Sequence, residues 1–150
     1  MRIKMTTVDE FMLRFFKVPR ILLVLDDSRP VVELLHRGYE CEVDDTDRGE
    51  KAVELISKNK YDLVIVDLAL LNGTSRKVLA AIHDHAPATP VVATKLHNEF
   101  GEVGEFGPLT VLAGPLTAGD IAQLFSVFKI KARTHAISEY YGRQHATAAA

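Results

Sequence analysis

The feature that most restricts the fold of this chain is an alternation of short apolar runs with segments of helical periodicity. We predict strands at Arg20–Leu25, Glu40–Asp44, Asp62–Val66, Pro90–Ala93 and Leu109–Ala113. We predict helices at Arg29–Arg37, Asp47–Lys58 and Thr74–His85, and a last helix that begins with Thr117 as its cap. Such β/α alternation predicts an α/β domain with a parallel sheet, helices on both faces and right-handed crossovers.

The composition indicates the class of protein. The chain has 150 residues, of which 47% are hydrophobic and 25% are charged, and its net charge is -2. These values are typical of one globular domain and exclude a polycationic nucleic-acid binder. No run reaches the roughly 20 apolar residues of a membrane span, and the single cysteine, Cys41, excludes a disulfide framework. We therefore expect a cytoplasmic protein that contacts neither nucleic acid nor membrane.

Acidic and hydroxyl side chains stand at the ends of three predicted strands. Asp26 and Asp27 follow the first strand, Asp67 follows the third, and Thr94 follows the fourth. In a doubly wound, flavodoxin-like sheet of order 2-1-3-4-5, the first and third strands are neighbours, so these carboxylates meet at the switch point. Carboxylates held that close either take up protons or bind a hard divalent cation, and Mg²⁺ suits such a site. Mg²⁺ that holds a phosphoryl group beside an ionised aspartate is the arrangement for phosphorylating that aspartate.

Several motifs together carry a family resemblance. They are Ile21-Leu-Leu-Val-Leu-Asp-Asp27, Gly38-Tyr39-Glu40, Gly49-Glu50-Lys51-Ala52, Tyr61-Asp-Leu-Val-Ile-Val-Asp67-Leu-Ala-Leu-Leu-Asn-Gly73 and Pro90-Val-Val-Ala-Thr94. In this order and spacing, over about residues 20 to 131, they resemble the receiver domain of two-component response regulators.

The resemblance implies a role for each residue at the strand ends. Asp67 would be the phosphoacceptor, and Thr94 would be the hydroxyl that tracks the phosphoryl group. Asp26, Asp27 and Asp67 would hold Mg²⁺ together with the main-chain carbonyl of Ala69. The resemblance also implies a signalling module rather than an enzyme. Its partners would be a sensor histidine kinase or a phosphotransfer protein, and a protein further downstream.

Four positions depart from the receiver pattern. Gly114 stands where receivers carry the lysine that pairs with the phosphoryl group, and Val111 stands at the position of the aromatic switch. Leu71 replaces the usual loop proline. Lys95 follows Thr94 where a small residue is usual, and it either points to solvent, restores the missing charge or blocks the pocket. A positioned cation contributes on the order of a few kcal/mol to a phosphoryl site, and Gly114 cannot supply one. These departures therefore predict an atypical receiver.

Other functions remain as alternatives. A pseudo-receiver that is never phosphorylated would act as a docking or dimerisation domain, and Gly114 and Val111 favour it. A small enzyme on the same fold would need a glycine-rich loop or a D-x-D nucleophile motif after the first strand, and Asp26-Asp27-Ser28-Arg29-Pro30 supplies neither. For Asp67 itself, the alternative is a strand end that interacts with neighbouring loop amides.

The ends of the chain complete the predicted organisation. Residues 1–19 form an N-terminal amphipathic helix extension, 20–131 the receiver-like domain, and 132–150 an extension of the last helix followed by a flexible tail. The N-terminal helix carries one apolar stripe, formed by Val8, Phe11, Met12, Phe15 and Phe16. The last helix is expected to continue as far as Tyr141. The stripe packs either on its own domain or on a partner, and in the second case we expect a homodimer through the terminal helices.

Overall fold

The computed structural model describes residues 18–67, 74–95, 110–113 and 115–134. Its strands are β1 Arg20–Val24, β2 Glu42–Thr46, β3 Leu63–Asp67, β4 Val91–Lys95 and β5 Thr110–Ala113. Its helices are α1 Arg29–Gly38, α2 Gly49–Lys58, α3 Thr74–His85 and α4 Ala118–Val127. All four strand pairs are parallel, and the strand order is β2-β1-β3-β4-β5. The predicted flavodoxin-like α/β fold is therefore confirmed.

Each face of the sheet carries its own apolar core. Side chains alternate along β1, so that Leu22 and Val24 pack with α2 and α3, whereas Ile21 and Leu23 pack with α1 and α4. All five residues of the central strand β3 are buried, because helices cover the sheet on both sides. The two cores thus fix the position of the last residue of β3, which is Asp67. Among the described residues, no helix is both long and apolar enough to cross a membrane.

The last helix begins as predicted but ends earlier. The Thr117 hydroxyl accepts from the Asp120 N–H at 3.2 Å, and the Asp120 carboxylate accepts from the Thr117 N–H at 2.9 Å, which is a capping box. The expected continuation of the helix to Tyr141 is wrong over the described part of the chain, because α4 ends at Val127. The residues of the expected extension beyond Thr134 lie outside the described residues.

A Schellman turn ends α4. Lys129 has a φ of 54°, and the Ile130 N–H donates to the Phe125 carbonyl at 2.8 Å. Ile130 then packs against the same core as Phe125, and the Glu40 N–H donates to the Arg133 carbonyl at 2.8 Å. The chain turns back because burying its apolar residues on the sheet is more favourable than exposing them along a projecting helix. Sequence patterns did not indicate this end, since a lysine occupies the left-handed position that glycine usually takes.

The predicted bounds of the three regions stay a prediction, whereas the helical extension expected after residue 131 is not helical over residues 132–134. The amphipathic stripe of the N-terminal extension falls within residues 1–17, which lie outside the described residues. The same holds for residues 135–150.

A polar cluster joins the amino ends of β1 and β3 to β2. The Arg20 guanidinium lies 3.0 Å from Asp44 Oδ2 and 3.0 Å from Asn59 Oδ1. The Tyr61 hydroxyl donates to the same Asp44 oxygen at 2.6 Å, and the Arg20 main-chain N–H donates to Asp62 Oδ2 at 2.9 Å. The Arg20 guanidinium also lies 5.6 Å from the centre of the Tyr61 ring. This cluster supplies partners for the charges of Arg20 and Asp44 at the end of the sheet opposite Asp67.

Replacing Tyr61 with phenylalanine is expected to lower the free energy of unfolding by about 1 kcal/mol at neutral pH, because one hydrogen bond is lost and the ring stays buried. Burial, and next the hydrogen bond to Asp44, raise the pKa of Tyr61 above its unfolded value of about 10. The contribution of the hydroxyl is therefore complete below about pH 10 and is lost as pH rises through the folded-state pKa.

Urea unfolding of both proteins at neutral and alkaline pH measures this effect. The wild type should lose more stability than the Tyr61→Phe variant as the pH passes about 10. Equal losses in the two proteins would show that the hydroxyl titrates as it does in the unfolded chain.

Candidate functional site

Asp67 and Thr94 lie side by side at the carboxyl edge of the sheet. Asp67 is the last residue of β3, and Thr94 is its register partner on β4. Both side chains are buried, with exposed fractions of 5% for Asp67 and 7% for Thr94. A carboxylate that is buried at the end of a strand needs polar partners, and Asp67 is not without an interaction partner. The two residues that the sequence predicted at the ends of β3 and β4 are therefore brought together.

Asp26 and Asp27 lie at the same edge, in the loop that follows β1. The register partner of Val24 on β3 is Val66, so β1 and β3 end side by side. Both aspartates are exposed. Among the described residues, however, no group of three or more aspartate, glutamate, histidine or cysteine side chains is close enough to hold a metal ion. The predicted carboxylates share one edge of the sheet, but those of the described residues do not come together as a group of three metal ligands.

The carboxylate of Asp27 is bound by the guanidinium of Arg29. Arg29 Nε donates to Asp27 Oδ1 at 3.0 Å, and Arg29 Nη2 donates to Asp27 Oδ2 at 3.2 Å. The Arg29 main-chain N–H also donates to Asp27 Oδ1 at 3.2 Å. The side-chain hydrogen bonds from Arg29, followed by the main-chain one, hold the pKa of Asp27 below its usual value. Asp27 is thus ionised at neutral pH, and both of its oxygens are engaged.

Sequence reasoning missed a second acidic contact at this edge. The Ser28 hydroxyl donates to Asp45 Oδ2 at 2.6 Å. Ser28 is the N-cap residue of α1, but its side chain makes no capping hydrogen bond. Asp45 lies on β2 opposite Leu23 of β1, which brings it close to the loop after β1. The acidic pair Asp44-Asp45 was the available signal, and only the pairing of β2 with β1 reveals which of the two faces the loop.

The positions that depart from the receiver pattern are described in part. Val111 lies on β5 opposite Ala93, and 44% of it is exposed. Lys95 ends β4, and its side chain lies outside the described residues. The described residues do not include Gly114, Leu71 or the predicted ligand Ala69.

A family model of the response regulator receiver domain matches residues 22–123. This chain belongs to the response regulator receiver family. Receiver domains are signalling modules of two-component phosphorelays, they interact with histidine kinases or phosphotransfer proteins, and they generally bind Mg²⁺. The resemblance that the motifs carry is therefore confirmed.

Two curated relatives are fungal transcription factors. SKN7 of Candida albicans is 24% identical over 111 residues, which make up 70% of this chain and 20% of that protein. Transcription factor prr1 of Schizosaccharomyces pombe is 29% identical over 111 residues, 71% of this chain and 21% of that protein. The chain thus spans about a fifth of the length of these relatives. The expectation that it contacts no nucleic acid concerns this chain alone and stays a prediction.

Solved receiver structures share the fold. The receiver domain of a sensor histidine kinase from Pseudomonas aeruginosa has a TM-score of 0.61 and 22% identity, and the match covers 74% of this chain and 97% of that one. That receiver has a magnesium ion coordinated in its active-site cleft. A Vibrio cholerae chemotaxis protein has a TM-score of 0.64 and 18% identity, with 74% and 98% coverage. These likenesses agree with the strand order described above.

Proposed function

We propose that this chain accepts a phosphoryl group on Asp67 and signals through protein contacts. The observation that carries the proposal is the pairing of Asp67 with Thr94 at the carboxyl end of the central strand. A buried core fixes the carboxylate, and the neighbouring strand places a hydroxyl beside it. Positioning of this kind supplies much of the catalysis in phosphoryl transfer, because the protein has little covalent chemistry to perform.

The residues divide the reaction between them. A lone pair of an Asp67 carboxylate oxygen attacks the phosphorus of the donor, and the bond to the leaving group breaks with its electrons on that group. In this proposal the Thr94 hydroxyl, on the strand beside Asp67, donates a hydrogen bond to a phosphoryl oxygen. The oxygen donors that would hold Mg²⁺ are Asp26, Asp27, Asp67 and the main-chain carbonyl of Ala69. The bound cation would offset the negative charge of the phosphoryl group.

The upstream partner in this proposal is a sensor histidine kinase or a phosphotransfer protein, and the downstream partner is another protein. The whole relatives are transcription factors, so an output in transcription is part of the proposal only for a longer protein or an assembly that contains this domain. A cytoplasmic location and a homodimer through the terminal helices also remain proposals.

The alternative is a pseudo-receiver that docks or dimerises without phosphorylation. Gly114 removes the usual cation from the predicted site, and the exposed Val111 provides no aromatic ring to report its state. These two positions favour the alternative, whereas the placement of Asp67 beside Thr94 opposes it.

Incubation with Mg²⁺ and acetyl phosphate distinguishes the two functions. We expect intact-mass spectrometry to detect one added phosphoryl group, and we expect a chelator to prevent its addition because the donor and Asp67 would then repel each other. A chain that neither gains the group nor binds Mg²⁺ would instead be the pseudo-receiver.

A further inference from the structure

We propose that Arg29 competes with the divalent cation for Asp27 and so raises the Mg²⁺ concentration at which this receiver becomes competent. The inference rests on the proposed function, because it assumes that Asp27 is a ligand of Mg²⁺. It adds a residue that the receiver motifs do not include. Arg29 is a positioning residue, since it acts through Asp27.

The competition follows from the geometry of the pair. The guanidinium contacts Asp27 Oδ1 at 3.0 Å and Oδ2 at 3.2 Å, which is a two-pronged contact. Mg²⁺ requires close, nearly octahedral oxygen ligands. A carboxylate oxygen that turns to such a cation brings a second positive charge next to the guanidinium. Binding of the cation through Asp27 therefore requires Arg29 to loosen or leave.

The position of Arg29 at the start of α1 explains why it depends on Asp27. Arg29 is the first residue of the helix, where the helix dipole disfavours a positive side chain. The first turn of α1 contains no acidic residue that could offset this charge. Asp27, two residues earlier, offers its carboxylate to both the main-chain N–H and the guanidinium of Arg29. Asp45 also lies near this loop, and its carboxylate accepts a hydrogen bond from the Ser28 hydroxyl.

The exposure of the pair sets the size of the effect. The Arg29 side chain is 90% exposed and the Asp27 side chain 53% exposed, so solvent and salt screen their attraction. An exposed pair of this kind is weak, so a bound divalent cation can displace it. Arg29 therefore shifts the binding curve for Mg²⁺ and does not close the site.

The test is a titration of the whole chain with Mg²⁺ by isothermal calorimetry at low salt. Arg29→Gln is expected to bind Mg²⁺ about two- to fivefold more tightly than the wild type, and the difference should shrink as salt is added. Arg29→Lys keeps the charge without the fork and should fall between the two. Arg37→Gln is the matched control. Arg37 is an exposed arginine of the same helix, lies about 12 Å along the helix from Arg29 and pairs with Glu33. This variant should bind Mg²⁺ as the wild type does.

Nitrogen-15 NMR gives a readout that does not depend on affinity. The Nε–H signal of Arg29, assigned from its absence in Arg29→Gln, should move toward the position of a solvated arginine as Mg²⁺ is added. The Arg37 signal should stay in place.

The outcomes separate the inference from the proposed function. If all three arginine variants bind Mg²⁺ with the wild-type affinity and the Arg29 signal does not move, the role of Arg29 is wrong and the proposed receiver site stands. Weaker binding by Arg29→Gln would also overturn the inference, because it would make Arg29 a supporter of the site. If no form of the chain binds Mg²⁺, both the metal site of the proposed function and the competition at it are wrong.

Discussion

Replacing Asp67 with asparagine is expected to abolish phosphorylation of this chain by acetyl phosphate completely. The amide has no ionised oxygen to attack phosphorus, and no other carboxylate of the described chain shares its position beside Thr94. The replacement has nearly the same shape, and Asp67 ends a strand whose other four residues are apolar and buried. The fold should therefore persist, and circular dichroism of the variant should match that of the wild type.

Asp45→Asn is the matched control for this experiment. Asp45 is also a carboxylate near the carboxyl edge of the sheet, but it lies on β2 and accepts from the Ser28 hydroxyl. The Asp45 variant should take up the phosphoryl group as the wild type does. If phosphorylation survives in Asp67→Asn and disappears in Asp45→Asn, the phosphoacceptor lies on β2, and our proposal of Asp67 on β3 is wrong.

The second large effect concerns the core that fixes the site. Replacing Ile65 with alanine is expected to lower the free energy of unfolding by about 3 to 5 kcal/mol, because it leaves a cavity in a close-packed core. Ile65 is fully buried in the central strand, where its register partners are Leu23 on β1 and Val92 on β4. Urea denaturation followed by circular dichroism measures the loss.

Val127→Ala is the control for the core. Val127 ends α4 and is 63% exposed, so its truncation should change the free energy of unfolding by less than about 0.5 kcal/mol. A loss at Ile65 no larger than the loss at Val127 would mean that β3 does not form the centre of the sheet. The placement of Asp67 would then have no structural basis.

The fold could be predicted from the sequence because each β/α unit has a local pattern. The central strand is an apolar run of a length that suits burial on both faces, and the helices have apolar residues at helical spacing. The bounds of a strand have no local signal where pairing with a neighbouring strand decides them. The second strand was expected at Glu40–Asp44 and lies at Glu42–Thr46, because it is a polar edge strand whose extent follows its pairing with β1.

The end of the last helix could not be predicted for a different reason. It depends on a left-handed Lys129 and on the burial of Ile130, neither of which has a local sequence signal. A helical continuation and a return onto the sheet both satisfy the apolar spacing after Thr117. The tertiary contact decides between them.

The site was predictable to the extent that it depends on strand ends. Asp67 and Thr94 could be paired from the strand order alone, since parallel neighbours end at one edge of the sheet. The contacts of the loop after β1 could not be predicted in this way. The Ser28–Asp45 hydrogen bond joins residues 17 positions apart and needs the register of β2, while the Arg29–Asp27 pair depends on the side-chain conformation of a long, exposed arginine.

Locating the acyl phosphate in the chain tests directly whether Asp67 is the phosphoacceptor. Reduction of the phosphorylated protein with borohydride converts an aspartyl phosphate to homoserine, and peptide mass spectrometry then identifies the position. We expect homoserine at position 67 and unmodified aspartate at positions 26, 27 and 45. Homoserine at any of those three positions, or unmodified aspartate at 67 in protein that carries the phosphoryl group, would contradict it.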